Sequence, residues 1–308
     1  MTTYPEESIK RRGFVLITAA RNEAIYIDNT LRSVIAQTIL PTKWIIISDG
    51  STDRTDEIVL AYAERYDFIK LLRREDSRGN GVGFASKVYA LRKGYEQLKE
   101  DEYEFIGILD ADISFGPDYY ERVLEYFMRY DKLGIAGGYL QELVAGIFKQ
   151  HPSNMIASVA GGIQLFRRQC YEDIGGLIPV SPGGEDWIAE VMARSKGWKV
   201  RSFDELKVFH HKSGSSVRGG VVREALRLGT MDYLLGSHPL FELVKCLRRV
   251  RERPYLINAA LRFVGYLSSH LQRKERPVPR EFIEYLRNEQ LKRLMDAFFK
   301  RRHSVDVD

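Results

Sequence analysis

Glu104-Phe105-Ile106-Gly107-Ile108-Leu109-Asp110-Ala111-Asp112 is the stretch on which the reading of this chain turns. Glu104 to Leu109 is a short apolar run of the kind that becomes a strand buried on both faces. It ends in two carboxylates spaced i and i+2. At a strand end such a pair can share one divalent cation and, through it, a diphosphate. Taken alone, Asp110-Ala111-Asp112 is equally a solvated turn opening the helix expected near Pro117. Its company tips the balance: Ser48-Asp49-Gly50-Ser51-Thr52-Asp53 closes an earlier strand, Gly184-Glu185-Asp186-Trp187 comes later, and His210-His211 later still.

Outward from this stretch, the first 140 residues alternate short apolar runs with amphipathic segments. Strands are expected at Gly13–Thr18, Lys43–Ser48, Phe68–Leu72, Phe105–Leu109 and Gly134–Tyr139, and helices at Asp28–Gln37, Asp53–Tyr66, Phe84–Leu98 and Pro117–Tyr130. Continuous β-branched runs such as Trp44-Ile45-Ile46-Ile47 indicate a mainly parallel, Rossmann-like sheet covered by helices. Ligands of such sheets bind beyond the C-terminal strand ends, where Arg21-Asn22-Glu23, Asp49 and Asp110–Asp112 all fall. From about Gln141 the rhythm loosens, with a strand expected at Gly161–Phe166, a helix at Glu185–Lys196 and a short strand at Lys199–Phe203. Beyond Gly219 the pattern is helical, near Val221–Leu235, Leu240–Arg251, Tyr255–Arg273 and Arg280–Lys300, with Pro239, Pro254, Pro277 and Pro279 marking boundaries. The expected division is therefore an α/β domain over residues 1–219 and a C-terminal helical extension over 220–308.

With 308 residues, 44% of them hydrophobic, the chain can bury a full core. Its two cysteines, Cys170 and Cys246, show no Cys-x-x-Cys spacing, which argues against a disulfide framework or a thiolate zinc site and fits a cytoplasmic setting. Met1 to Glu7 lacks the apolar core of a secretory signal, and no run of 18 uncharged apolar residues is present, so no bilayer-spanning segment is expected. The net charge of +5 is uneven. Residues 1–212 carry 28 Lys and Arg against 31 Asp and Glu, and residues 213–308 carry 19 against 11, an excess of +8. A basic tail suits an acidic partner such as anionic lipid, a phosphorylated acceptor or nucleic acid, and a solvated helical surface accounts for it equally well.

Gly79-Asn80-Gly81-Val82-Gly83 precedes a helix, so its amides could cradle phosphate, although its spacing is not that of a dinucleotide fingerprint and a mobile surface loop accounts for it better. Neither a Walker A sequence nor a Gly-x-Ser-x-Gly elbow occurs, which argues against P-loop and serine-esterase chemistry. Glu185-Asp186 either complements a helix dipole or supplies a base that takes a proton from an attacking hydroxyl. His210 and His211 are either a surface pair or a source of imidazole for a cation held by Asp112.

In order and spacing these segments resemble glycosyltransferase family 2, inverting enzymes of the GT-A fold that use nucleotide-diphosphate sugars. The resemblance covers roughly residues 13–212. It rests on the strand leading into Arg21-Asn22-Glu23, on Ile47-Ser48-Asp49-Gly50-Ser51-Thr52-Asp53, Gly83-Phe84-Ala85-Ser86-Lys87, Leu109-Asp110-Ala111-Asp112, and Gly175-Gly176-Leu177 followed by Gly184-Glu185-Asp186. It implies that Ala20, Arg21, Glu23, Asp49, Lys87, Asp110 and Ala111 bind the donor, with Asp49 on the nucleobase and a UDP-sugar favoured. It further implies that Asp112 and His210 bind Mg2+ or Mn2+, with His211 as the alternative imidazole. Asp186 would be the catalytic base, and Gly162, Glu185 and Trp187 would line the acceptor side. Ser48 departs from the pattern, since many members carry a second aspartate there. The Gln-x-x-Arg-Trp motif of the processive synthases is absent, so one sugar per encounter is expected.

The tail segments Leu235–Phe241 and Arg253-Pro254-Tyr255 are similar to tails of surface-polysaccharide enzymes acting on lipid-linked acceptors. They suggest a protein at the inner face of the cell membrane, with Phe263, Tyr266 and Leu267 beside Arg262, Arg273 and Lys274 resting on anionic lipid, or packing against the catalytic domain or a second subunit. Two other readings are a sugar nucleotidyltransferase, for which Ala19–Glu23 lacks the expected glycine-rich loop, and a non-enzymatic basic module binding RNA or membrane.

Overall fold

The computed structural model describes residues 13–74, 84–144, 146–181, 183–212, 220–249 and 256–303. The Gly79–Gly83 loop and Arg253-Pro254-Tyr255 lie outside these residues. The chain divides into two compact units, one through residue 214 and the other from residue 215.

The first unit begins with the expected alternation: β1 (Phe14–Ala20), α1 (Ile27–Ile35), β2 (Lys43–Asp49), α2 (Thr55–Ala63), β3 (Ile69–Arg74), α3 (Phe84–Glu96) and β4 (Phe105–Ile108). The four strands lie side by side in the order β3-β2-β1-β4, all parallel, so their C-terminal ends share one edge. Leu16, Ile17 and Trp44 to Ile47 are buried because helices cover both faces of the sheet. The Trp44 indole N–H keeps a partner in that core by donating to Thr18 Oγ1 at 2.9 Å. Gly94 lets α3 close on the sheet, since a Cβ there would stand 2.6 Å from Ile47 Cδ1 and 2.7 Å from Ile17 Cγ2.

The remainder of the sheet is mixed. It comprises β5 (Ile113–Phe115), β6 (Leu133–Val144), β7 (Ile147–Gln150), β8 (Leu165–Arg167) and β9 (Lys199–His210), with α4 (Tyr119–Arg129), α5 (Arg168–Asp173) and α6 (Glu185–Ser195) between them. Strand β8 runs antiparallel between β4 and β6, β9 runs parallel to β6, and β5 pairs antiparallel with the end of β9.

Two expectations need correction. The strand expected at Gly161–Phe166 is a 3-10 turn over Gly161–Ile163, with strand structure only from Leu165. The turn forms because the Gly162 carbonyl accepts from the Asp110 amide at 2.9 Å, pulling the chain toward the end of β4. The strand expected to stop at Phe203 runs on to His210. The β6–β9 register shifts after Gly138, whose missing Cβ leaves room for the Leu206 carbonyl, so the chain bulges between Phe203 and Lys207 and then resumes pairing.

The second unit contains α7 (Gly220–Leu234), α8 (Pro239–Arg248), α9 (Ile257–Leu271) and α10 (Arg280–His303). A Cβ on Gly229 would run into the Arg262 carbonyl and one on Gly265 into the Leu226 carbonyl, so α7 and α9 cross backbone to backbone. Arg262 is buried, donating from Nε to Asp232 Oδ2 at 2.8 Å and to Glu242 Oε1 at 3.3 Å. Lys245 Nζ reaches Asp232 Oδ1 at 2.7 Å. Tyr266 is buried as well, with its hydroxyl on the Ser237 carbonyl at 2.7 Å. The expectation that Arg262 and Tyr266 belong to an exposed basic surface is therefore wrong: the two acids of the helix bundle draw the guanidinium inward. No helix among the described residues is long and apolar enough to cross a membrane.

Candidate active site

The carboxylates at the end of β4 face different partners. Asp110 Oδ1 lies 2.6 Å from Lys87 Nζ, which α3 presents from its first turn. Burial alone would lower the Lys87 pKa, but Asp110, Glu185 and Asp186 outweigh it and hold the ammonium charged well above its usual range. Ala111 is buried between the two aspartates. Asp112 Oδ2 lies 3.2 Å from His210 Nε2, an approach created by the β5–β9 pairing that sets Ile113 opposite His210. Burial would raise the Asp112 pKa, yet the His210 contact prevails and lowers it; reciprocally, the hydrogen bond to Asp112 raises His210. His211 turns elsewhere, with Nε2 2.7 Å from Ser114 Oγ, and burial lowers its pKa.

Glu23 closes this side of the site. Its Oε1 meets Lys212 Nζ at 2.6 Å, and burial raises its pKa despite that partner, helped by Asp112 and Asp110 nearby. The loop carrying it is pinned from β2: Asn22 adopts a left-handed conformation (φ 56°) and accepts from the Thr52 amide at 2.8 Å, and the Glu23 amide donates to Thr55 Oγ1 at 2.8 Å. Ser51-Thr52-Asp53 thus acts as scaffold for Arg21-Asn22-Glu23, with Arg21 exposed and Ala20 buried at the end of β1.

Asp49 sits apart from the β4 carboxylates in a buried cluster. Arg74 Nη1 donates to its Oδ1 at 2.8 Å and Ser86 Oγ to its Oδ2 at 2.6 Å, whereas Arg74 Nη2 is buried without a hydrogen-bond partner. Sequence reasoning missed Arg74 and Lys212 as site residues. Lys212 follows His210-His211 directly, and that adjacency was the one available signal.

At the start of α6, Asp186 Oδ1 accepts from the Trp187 amide at 2.8 Å, after Gly184 has turned the chain with a φ of 94°. Glu185 is buried, and that burial raises its pKa, with Lys87 acting in the opposite sense. The Gly161-Gly162 turn wedges between the carboxylates. A Cβ on Gly161 would lie 2.8 Å from Asp186 Cβ, and one on Gly162 would lie 2.7 Å from Asp110 Oδ2. The expected acceptor-side residue Gly162 therefore abuts Asp110, and its neighbour Gly161, absent from the sequence reading, abuts Asp186.

Glu190, one helical turn beyond Asp186, holds the segment leading into this wedge. It accepts from the Val159 amide at 2.6 Å and from Ser158 Oγ at 3.0 Å. Burial pushes its pKa from 4.5 up to about 7. A raised carboxyl pKa means that the folded state binds the extra proton, so stability should fall as pH rises from 4.5 to about 7 and level off above. Glu190→Gln keeps an acceptor for Val159 and should flatten that slope in calorimetric melts; a slope as steep as in the parent would place the titration elsewhere.

Asp112 Oδ1 and Glu23 Oε2 are buried oxygens without a hydrogen-bond partner. Orphaned anionic oxygens are costly unless a cation or donor meets them. Among the described residues no group of three or more His, Cys, Asp or Glu side chains forms a metal cage. The donor set Asp112 and His210 instead fits a hard divalent cation that takes its other ligands from diphosphate and water.

Solved structures share this architecture. The mannosyltransferase PcManGT from Pyrobaculum calidifontis, in complex with GDP-Man and Mn2+, aligns over 85% of this chain and 88% of its own with a TM-score of 0.56 and 16% identity. S. aureus TarS 1-349 in complex with UDP-GlcNAc aligns over 84% of this chain and 73% of its own, with a TM-score of 0.53 and 15% identity. The chain thus has the GT-A fold of these glycosyltransferases. The model of the family Glycosyl transferase family 2 matches residues 15–181, more than half of the chain, and the chain belongs to that family. Among curated relatives, a poly-beta-1,6-N-acetyl-D-glucosamine synthase of Staphylococcus epidermidis is 30% identical over 210 residues, covering 62% of this chain and 46% of the relative. One of Staphylococcus aureus (strain COL) is 32% identical over 126 residues, covering 41% and 28%. The chain therefore spans less than half the length of these relatives. Membership in that family weighs against the nucleotidyltransferase and non-enzymatic readings.

Proposed function

We propose that this glycosyltransferase moves one sugar per encounter, with inversion, from a nucleotide-diphosphate donor to a hydroxyl acceptor, in cytoplasmic synthesis of a surface polysaccharide or glycolipid. The observation that carries this reading is the Gly161-Gly162 turn, whose side-chain-free backbone packs against Asp186 at one residue and Asp110 at the next, so that one short segment sets both carboxylates. In this reading the nucleobase lies by Asp49, where the spare N–H of Arg74 meets an acceptor on the ring. Ala20, Arg21 and Glu23 shape the nucleoside pocket, and Lys87, Asp110 and Ala111 face the ribose and diphosphate. Asp112 and His210 would hold Mg2+ or Mn2+, which when bound would offset negative charge on the departing diphosphate. Glu185, Trp187 and Gly162 border the acceptor.

Asp186 takes the proton of the acceptor hydroxyl as its oxygen bonds to the anomeric carbon and the bond from that carbon to the diphosphate breaks. No covalent sugar–enzyme intermediate is required. The names of the curated relatives and the UDP-GlcNAc bound to TarS favour a UDP-linked donor, with N-acetylglucosamine as the first candidate. Incubating the purified chain with UDP-GlcNAc, UDP-glucose and GDP-mannose, each with Mn2+ or Mg2+, tests the proposal. Release of UDP from a UDP-sugar is expected. Pyrophosphate release, or no nucleoside diphosphate from any donor, would overturn it.

A further inference from the structure

Helix α9 is amphipathic in the reverse of the usual sense. Its only Asp, Glu, Lys or Arg is Arg262, which turns inward to Asp232 and Glu242. Its outward stripe is apolar: Ile257, Val264, Leu267 and Leu271 recur at i, i+7, i+10 and i+14, one face of a helix. Helix α8 repeats the arrangement. Its Glu242 is fully buried and its Lys245 is directed to Asp232, while Leu240, Leu243 and Leu247 face outward at i, i+3 and i+7. These seven apolar side chains are between 42% and 74% exposed. Burying charges while exposing leucines is costly in water on both counts, and contiguous exposed apolar patches are rare on soluble monomers unless something binds them.

The charge around these stripes indicates what binds. Arg248 closes α8, Arg273 and Lys274 follow α9, and all three are exposed. Residues 213–308 as a whole carry the +8 excess. A second copy docking here would bring two such excesses together, whereas an anionic lipid surface offers phosphates to the cations and an apolar boundary to the leucines.

We propose that α8 and α9 form an interfacial docking face for an anionic phospholipid bilayer, lying on the membrane rather than crossing it. The outward leucines enter the boundary between headgroups and acyl chains, and Arg248, Arg273 and Lys274 pair with lipid phosphates. The proposal concerns the second unit and does not depend on the donor or the catalytic roles given above.

The test is co-sedimentation of the full chain with phosphatidylcholine vesicles, with and without phosphatidylglycerol, at low and high salt. Binding is expected to phosphatidylglycerol vesicles, weakening as salt rises. Val264→Ser/Leu267→Ser/Leu271→Ser should reduce partitioning about tenfold or more at either salt, since each outward apolar group adds to insertion. Arg273→Glu/Lys274→Glu should reduce it at least about fivefold at low salt and much less at high salt. Light scattering and a thermal melt accompany each variant, to confirm that it is folded. Equal, negligible binding of the parent under all four conditions would overturn the proposal. So would a concentration-dependent dimer that the serine variant dissolves, which would assign the face to a second copy.

Discussion

Asp186→Asn should bind donor as the parent does and transfer its sugar about 10²-fold more slowly or worse, the scale of a lost general base. The substitution is nearly isosteric. Its remaining carbonyl oxygen can still accept from the Trp187 amide, so the start of α6 keeps its shape. Gly161 leaves the side chain the same room. What disappears is a group able to take the acceptor's proton. Steady-state kinetics should therefore show kcat falling with the donor KM little changed. If transfer survives, the base is another group, and buried Glu185 is the nearest alternative.

The second large effect is expected at Asp112. Asp112→Ala strips the carboxylate from the Asp112–His210 pair and leaves a lone imidazole, which competes poorly with water for a hard cation. Calorimetric titration of UDP with and without Mn2+ should show the metal-dependent part of binding weakened by more than about 10²-fold, above the roughly 10–100-fold that loss of an outer-sphere partner costs. The variant carries a second readout that needs no metal. His210 loses the contact that raises its pKa, so its imidazole resonances should titrate at lower pH than in the parent. Unchanged metal response would remove Asp112 from the cation site; an unmoved histidine titration would show that the pair does not form in solution.

The positions of the candidate carboxylates were legible in the sequence, two of them because each follows its own apolar run. Asp49 ends β2, Asp110 follows β4, and Asp186 opens α6 after a glycine turn, so a local pattern locates all three. Position on the edge is a matter of parallel pairing, which β-branched runs announce. Contacts made at long range were not legible. Nothing near Arg74 or Lys212 reveals that one holds Asp49 and the other Glu23, because these pairs form only when distant segments converge. The Gly161–Ile163 turn reads as strand in the sequence because its apolar run continues smoothly into β8; its own Ile163 amide to Ala160 carbonyl bond and the Asp110 amide on the Gly162 carbonyl bend it. Arg262 was placed on the surface because charged residues usually belong there. The acids that bury it sit on α7 and α8, 30 and 20 residues away.

The paired glycines at 161 and 162 have a consequence for how such an enzyme could change its acceptor. The interval between the proposed donor-side carboxylate and the proposed base is set by two absent methyl groups, with the backbone of one short turn as the gauge. A methyl at 161 meets Asp186 first, and a methyl at 162 meets Asp110 first. The two adjustments are separable. Lineages that keep their nucleotide sugar but meet a bulkier or differently angled hydroxyl could therefore retune reach by single small-residue exchanges here, leaving the buried cluster around Asp49, the proposed nucleobase site, untouched.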